Sequence, residues 1–295
     1  MLKQFLEGRK RAVAWEYMKH ASKKNAAEFP QMVCYSFDHI AQYINFDGRY
    51  EQRELKFILD NFPDRFTNKT VLDIGANIGN HTVAFAPKAK RVFSFEPHPR
   101  NYQLLAINAS SFLNVTTFNM GVSDKKQTPV AVTPDGNMGG TAITPNAQLA
   151  GAAGNAVEFS LVSLDDMPDV VSQDIGFVKI DVEGHELSAL QGMRKILETQ
   201  KPLIAFEQHA DEINNGTSPV IEFLKASGYH YFYELAAPAT WRTSSSLPAV
   251  IRVPMKLAEH LILGKPVDKP RLENVTKLDK RSYFMLFASA SALRH

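Results

Sequence analysis

The 295-residue sequence predicts an α/β domain on a mostly parallel sheet, with helices on both faces. Two observations carry this. From "TVLDIG" to "PLIAFEQH", short and continuously apolar runs alternate with helically spaced segments. Strands buried on both faces read this way, and the intervening helices supply the crossovers that parallel pairing needs. Near the end, "YHYFYELA" and "RSYFMLFASA" alternate aromatics and predict two late strands that pair.

The elements follow in order. From Met1 to about Phe29, Leu2, Phe5, Leu6, Val13, Trp15 and Met18 are helically spaced, and basic residues outnumber acids. Such a helix packs on its own domain with a solvated basic face, or lies on an anionic membrane surface. "YEQRELKFILDNF" places Leu55, Ile58, Leu59 and Phe62 on one helical side, and Pro63 ends it. Strand "TVLDIG", helix "GNHTVAFAPKA", strand "RVFSFEP", helix "PRNYQLLAINASSF" and strand "VTTFNMGVS" come next. Residues 129–162 are rich in Gly, Pro, Asn and Ala and read as a long loop, with "GNMGG" (Gly136 to Gly140) as a mobile lid. Strand "IGFVKIDVE", helix "HELSALQGMRKILE" and strand "PLIAFEQH" complete the alternation. The expected divisions are an extension over 1–49, a core over 50–235, an insertion over 236–280 and a final strand over 281–295.

Composition narrows the class. A net charge of +2 offers no electrostatic case for nucleic acid. The single Cys34 excludes an intramolecular disulfide and fits a reducing compartment. No apolar run approaches the ~18 residues of a membrane span, and the N-terminus lacks a signal-peptide apolar region. The expectation is a cytoplasmic protein, with peripheral contact at the inner membrane face through the basic helix or residues 252–265 left open, as is the oligomeric state.

"VLDIGANIGNHTVAF" is a strand ending in Asp73, a turn holding Gly75 and Gly79, and a helix. Glycines there let backbone amides approach a ligand at the helix N-terminus. A dinucleotide favours G-x-G-x-x-G; here Asn77 stands where a middle glycine would, and Asn tolerates left-handed backbone. Asp73 points to a ligand with a cationic end, because a carboxylate beside a pyrophosphate repels it. Glu96, at the tip of the second strand, is placed to accept two hydrogen bonds from a ribose diol. The pair favours S-adenosylmethionine over NAD. In "NMGVSD", Met120 would form an apolar wall for adenine, and Asn119 or Ser123 would read its polar edge.

"VLDIGANIGNHT" at 71–82, "FSFEPHP" at 93–99, Gly139-Gly140, Tyr50-Glu51 and "VKIDVEGHELSALQG" at 178–192 together resemble the FkbM family of S-adenosylmethionine-dependent methyltransferases. The resemblance implies a class I methyltransferase (Rossmann-like) fold, a seven-stranded sheet in order 3-2-1-4-5-7-6 with the last strand antiparallel. It implies O-methylation of hydroxyls in sugars, glycolipids or polyketides, and brings Glu51 to the methionine end of the cofactor. The expected cofactor contacts are Glu51, Asp73, Gly75, Ala76, Asn77, Gly79, Asn80, His81, Glu96, Pro97, Asn119, Gly121 and Asp181.

Asp181, Glu183, His185 and Glu186 leave the fourth strand where chemistry is expected. A protonated sugar hydroxyl is a poor nucleophile, so a general base or a metal is needed, the base supplying about two to four orders of magnitude. His185, placed slightly ahead, and His209 are the candidate bases, with Glu183 and Asp181 as catalytic carboxylates. Glu186 either serves the site or complements the helix dipole. Asp181 and Glu207 form a candidate Mg²⁺ pair at neighbouring strand tips. The leading expectation is methylation of a sugar hydroxyl in a glycan or glycolipid. Rivals are a small lipid, polyketide or amine acceptor, an NAD-dependent oxidoreductase, and a catalytically silent scaffold.

Overall fold

The structure is a computed structural model describing residues 12, 15, 16, 18–36, 38–128, 130–133, 155–236 and 270–293. The expected lid at 136–140 and the basic stretch 252–265 lie outside these residues.

The strands are β1 (Thr70–Ile74), β2 (Arg91–Phe95), β3 (Val115–Phe118), β4 (Gly121–Val122), β5 (Val130–Thr133), β6 (Asn155–Glu158), β7 (Leu161–Val162), β8 (Ile175–Ile180), β9 (Leu203–Gln208), β10 (Tyr231–Ala236), β11 (Arg271–Asn274) and β12 (Tyr283–Ser289). The helices are α1 (His39–Asp47), α2 (Gln52–Asn61), α3 (Asn80–Phe85), α4 (Pro99–Ala109), α5 (Pro168–Val171), α6 (Glu186–Gln191), α7 (Arg194–Gln200) and α8 (Pro219–Ala226).

The main sheet runs β11-β10-β12-β9-β8-β1-β2-β3. Its last seven members reproduce the expected order, with β12 antiparallel to both neighbours, β9 and β10. The eighth strand corrects the expected count. Residues 271–274, inside the expected insertion, pair antiparallel with the edge of β10. β1, β8 and the first four residues of β9 are buried throughout, as their unbroken apolar character requires.

Two cores sandwich the sheet. On one face Leu55, Ile58 and Phe62 of the α2 segment meet Phe66, Phe85, Phe177 and Phe287. On the other, Leu190, Ile196 and Leu197 pack with Val178, Ile204 and Leu286.

Four local expectations change. The helix read from His185 to Glu198 is two helices, α6 and α7. Gly192 sits at the break, where a Cβ would fall 1.9 Å from the Ser123 carbonyl oxygen. Asp165 then caps the new start by accepting from the amides of Lys195 (2.9 Å) and Ile196 (3.3 Å). The single strand read at 115–123 is β3, a turn, and β4, which pairs with β7 in a separate ladder. The ends of the long loop are strands, β5 with β6. In the first helix, Trp15 is 68% and Met18 37% exposed, so this part of its apolar stripe is not packed on the domain.

Candidate functional site

At the C-terminal ends of β1, β2, β8 and β9 lies a cavity of about 450 Å³, open to solvent. The residues after β1 shape its floor. Gly75 has φ +77 and Asn77 φ +49, so the turn uses the left-handed region at both positions. A Cβ on Gly75 would fall 1.8 Å from the Asp181 carbonyl oxygen, so only glycine lets the two strand tips approach this closely.

Glu96 lines one side. One carboxylate oxygen accepts from the Asn77 amide and the other from the His98 amide, each at 2.9 Å. Burial pushes its carboxyl up to about 7, against the opposing pull of those amides. The side chain is thereby fixed, with lone pairs left for a ligand's hydroxyls. Asn119 donates to the carbonyls of Glu96 and Pro97, both at 3.0 Å, which holds the loop but leaves Asn119 out of the cavity lining. Met120 packs into the core and Ser123 is fully buried. The apolar wall is instead Val122, Phe159, Leu161 and Val182, with Gly121 beside them.

The central charge arrangement was missed in the sequence. Lys179, one turn of the pleat before Asp181, is 6% exposed. Its Nζ lies 3.1 Å from Asp181 Oδ2 and 3.8 Å from Asp73 Oδ1, and donates to the Gly75 carbonyl at 3.2 Å. Burial opposes its charge, but Asp181, Asp73 and Glu51 outweigh this and hold the ammonium above its ordinary pKa. Burial likewise opposes ionisation of Asp181, and Lys179 overcomes it, leaving the carboxyl below its ordinary value. A lysine inside an apolar strand, two residues from an aspartate, was the available signal.

Asp73 therefore takes a different part from the one expected. It is fully buried, accepts from Thr82 Oγ1 at 2.6 Å, and does not line the cavity. It braces Lys179 from behind while Asp181 faces the cavity. Ala76, Gly79, Asn80 and His81 also stand behind the lining. Asn80 makes two hydrogen bonds to the Tyr50 backbone, accepting its amide at 3.1 Å and donating to its carbonyl at 3.0 Å. His81 Nε2 lies 3.0 Å from Glu51 Oε2, both side chains nearly buried. These contacts position Tyr50 and Glu51, which do line the cavity, as do Gly75, Asn77, Glu96, Pro97, Gly121 and Asp181.

The chain before Tyr50 contributes as well. Val33 exchanges hydrogen bonds with the Asn108 side chain, and Tyr35 donates to Asn101 Oδ1 at 3.0 Å. This strap over α4 leads to Asp38, His39 and Ile40 at the rim. His39, Tyr43 and Tyr50 form a mutual edge-to-face trio there, with centroids 5.0 to 5.9 Å apart.

The expected catalytic group divides. His185 lines the cavity, but its Nε2 lies 3.0 Å from Ser123 Oγ, and burial lowers its pKa. Glu186 is fully buried and accepts from the amides of Val182 (3.3 Å) and Gly184 (3.2 Å), so it folds the loop rather than facing a ligand. Glu183, with φ +51, comes together with Glu207 and His209, their ligating atoms all within 4.8 Å of one another. Burial and the Asp181 charge push the Glu207 carboxyl up to about 7, and raise Glu183 above its ordinary value. The two histidines thus do not act side by side. The expected Asp181–Glu207 Mg²⁺ pair is also displaced: Asp181 is committed to Lys179, and Glu207 groups with Glu183 and His209.

Comparison with known proteins completes the picture. The chain is 28% identical over 177 residues to the hexuronic acid methyltransferase AglP of Haloferax volcanii, which covers 59% of this chain and 66% of that protein. Among solved structures, methyltransferase FkbM from Methylobacillus flagellatus KT is 19% identical, covering 63% of this chain and 47% of that one, with a TM-score of 0.35. An S-adenosylmethionine-dependent O-methyltransferase from Thermotoga maritima is 12% identical, covering 90% of this chain and 79% of that one, with a TM-score of 0.44. The sequence profile of the methyltransferase FkbM domain matches residues 73–231, more than half of the chain, from the brace at Asp73 to the first residue of β10. With this match, the fold is that of a class I methyltransferase, and the chain belongs to the FkbM methyltransferase family.

Proposed function

We propose that this protein is an S-adenosylmethionine-dependent O-methyltransferase whose acceptor is a sugar hydroxyl. The observation that carries the cofactor is the charge of the cavity. Asp38, Glu51, Glu96, Asp181, Glu183 and Glu207 line it, and its described lining contains no lysine or arginine. A pyrophosphate would meet carboxylates without a counter-charge, whereas a ligand with an ammonium and a sulfonium is attracted. The anchored Glu96 suits the cofactor's ribose diol. These residues therefore fit S-adenosylmethionine better than NAD.

When bound, S-adenosylmethionine supplies a methyl group already activated by a positive sulfur. Glu96 receives the ribose hydroxyls, with Gly75 and Asn77 closing the turn beneath. Val122, Phe159 and Leu161 form the apolar wall for adenine. Glu51 and Asp181, held by His81 and Lys179, face the cationic end. Glu183, Glu207 and His209 activate the acceptor hydroxyl, while His185 lies toward Ser123 on the adenine side. Holding the acceptor oxygen in line with the methyl supplies effective molarity in addition to activation.

The named activity of the Haloferax volcanii relative supports a sugar, and specifically a hexuronic acid, as the first acceptor class to test. Calorimetric titration with S-adenosylhomocysteine and with NAD tests the cofactor; binding of NAD alone overturns the reading. Incubation with labelled methyl donor and glycosides of neutral sugars and hexuronic acids, followed by mass analysis, tests the acceptor. Label on an amine or lipid and on none of the sugars overturns that part.

A further inference from the structure

We infer that Glu183, Glu207 and His209 form a binding site for a divalent transition cation at the acceptor side of the cavity. This rests on the methyltransferase reading and deepens it. The three residues come from the β8 and β9 tips and offer two carboxylate oxygens and one imidazole nitrogen, all within 4.8 Å of each other. Separately, His209 Nε2 is buried and finds no hydrogen-bond partner among the described residues. A buried ring nitrogen without a partner, on a histidine grouped with two carboxylates, has either lost a hydrogen bond or is awaiting a ligand.

The surroundings favour the second. Lys179, the strand cation nearest this group in sequence, is committed to Asp181, Asp73 and the Gly75 carbonyl. Its direct partners are these, and neither Glu183 nor Glu207 is among them. Nor does the cationic end of the cofactor, facing Glu51 and Asp181, reach across to neutralise Glu183 and Glu207. An acceptor hydroxyl entering here must give up its proton beside negative charge, which is unfavourable unless a cation shares the site. One nitrogen and two oxygen donors suit Mn²⁺ or Zn²⁺ more than Mg²⁺, which prefers oxygen ligands and keeps its waters. Three protein ligands leave positions open for an acceptor oxygen.

With the cation in place, the acceptor oxygen binds it and loses its proton to water at the open mouth. The oxygen then forms the new bond to the methyl carbon as the carbon–sulfur bond breaks. The sulfur keeps that electron pair and becomes a neutral thioether.

The test uses the full chain and Mn²⁺, followed by the electron paramagnetic resonance signal of the free ion, with and without S-adenosylhomocysteine. The expected result is one saturable site, weakened about 100-fold or more in His209→Gln and Glu207→Gln. Glu183→Gln, a nearly isosteric change at an exposed position, weakens it as well. All three variants keep their S-adenosylhomocysteine affinity. Absence of saturable Mn²⁺ and Zn²⁺ binding to wild type overturns the inference, as does equal binding in wild type and Glu183→Gln. Failure of S-adenosylhomocysteine to bind would instead strike the methyltransferase reading, so the two outcomes are separable.

Discussion

Lys179 Nζ stands 3.1 Å from Asp181 Oδ2, the lysine almost fully buried and the aspartate partly open to the cavity. Behind the lysine, Asp73 is completely enclosed. The three make a charge relay in space: one carboxylate inside, one ammonium between, one carboxylate presented to the ligand.

Lys179→Met tests this arrangement. It leaves Asp73 without its countercharge, and removing one partner of a buried ion pair costs about 3–5 kcal/mol. Urea denaturation should show a loss of that order, and Asp73→Asn in the same chain should recover part of it. Unchanged stability in Lys179→Met would mean that Thr82 alone satisfies Asp73.

Glu96 should make cofactor affinity depend on pH. Its folded carboxyl titrates at about 7, raised from 4.5. In the empty protein its contribution to stability is therefore fully present below pH 4.5 and lost as pH rises through 7. Ribose hydroxyls donate to the ionised form, so binding releases a proton on the acid side. S-adenosylhomocysteine affinity should rise up to about tenfold per pH unit below neutrality and level off above it. Glu96→Gln should bind more weakly with a flat profile. Calorimetry in buffers of different ionisation enthalpy measures the proton directly.

Gly75→Ala combines an unfavourable φ with a collision against the Asp181 backbone. A loss of about 2–5 kcal/mol is expected, together with loss of S-adenosylhomocysteine binding. Thermal unfolding and calorimetry read the two effects. Wild-type affinity in this variant would remove the turn from the cofactor site.

The two histidines should separate kinetically. His209→Ala should slow methyl transfer about 100-fold or more, with S-adenosylhomocysteine affinity unchanged. His185→Ala should weaken S-adenosylhomocysteine and leave turnover at saturating cofactor within a few fold. The opposite pattern would return the catalytic assignment to His185.

Much of this was legible in the chain. Continuous apolar runs announced β1, β8 and β9 because burial on both faces leaves no polar alternation. Asn77 signalled its left-handed turn, and Glu96 its place at a strand tip. What escaped reading depends on long-range packing. Asp73 looked like a ligand contact, because nothing local reveals that Lys179 stands between it and the cavity. The break at Gly192 arises from the Ser123 backbone, far away in sequence. The division of His185 from His209 is set by which neighbour each tip meets, Ser123 or Glu207. The strand at 271–274 was hidden because "RLEN" is short, polar and placed at an edge.

The strap from Val33 to Tyr50 has an evolutionary consequence. It supplies Asp38, His39, Tyr50 and Glu51 to the cavity, and Phe284 joins from the other terminus. All five lie outside the segment that the family profile spans. Relatives that share the donor half can therefore exchange Asp38, His39 and Phe284 of the opposite rim without rebuilding the machinery beneath it, provided that Tyr50 and Glu51 stay on Asn80 and His81. Grafting residues 33–49 between family members, with Tyr50 and Glu51 kept, is accordingly a route to moving selectivity as a cassette.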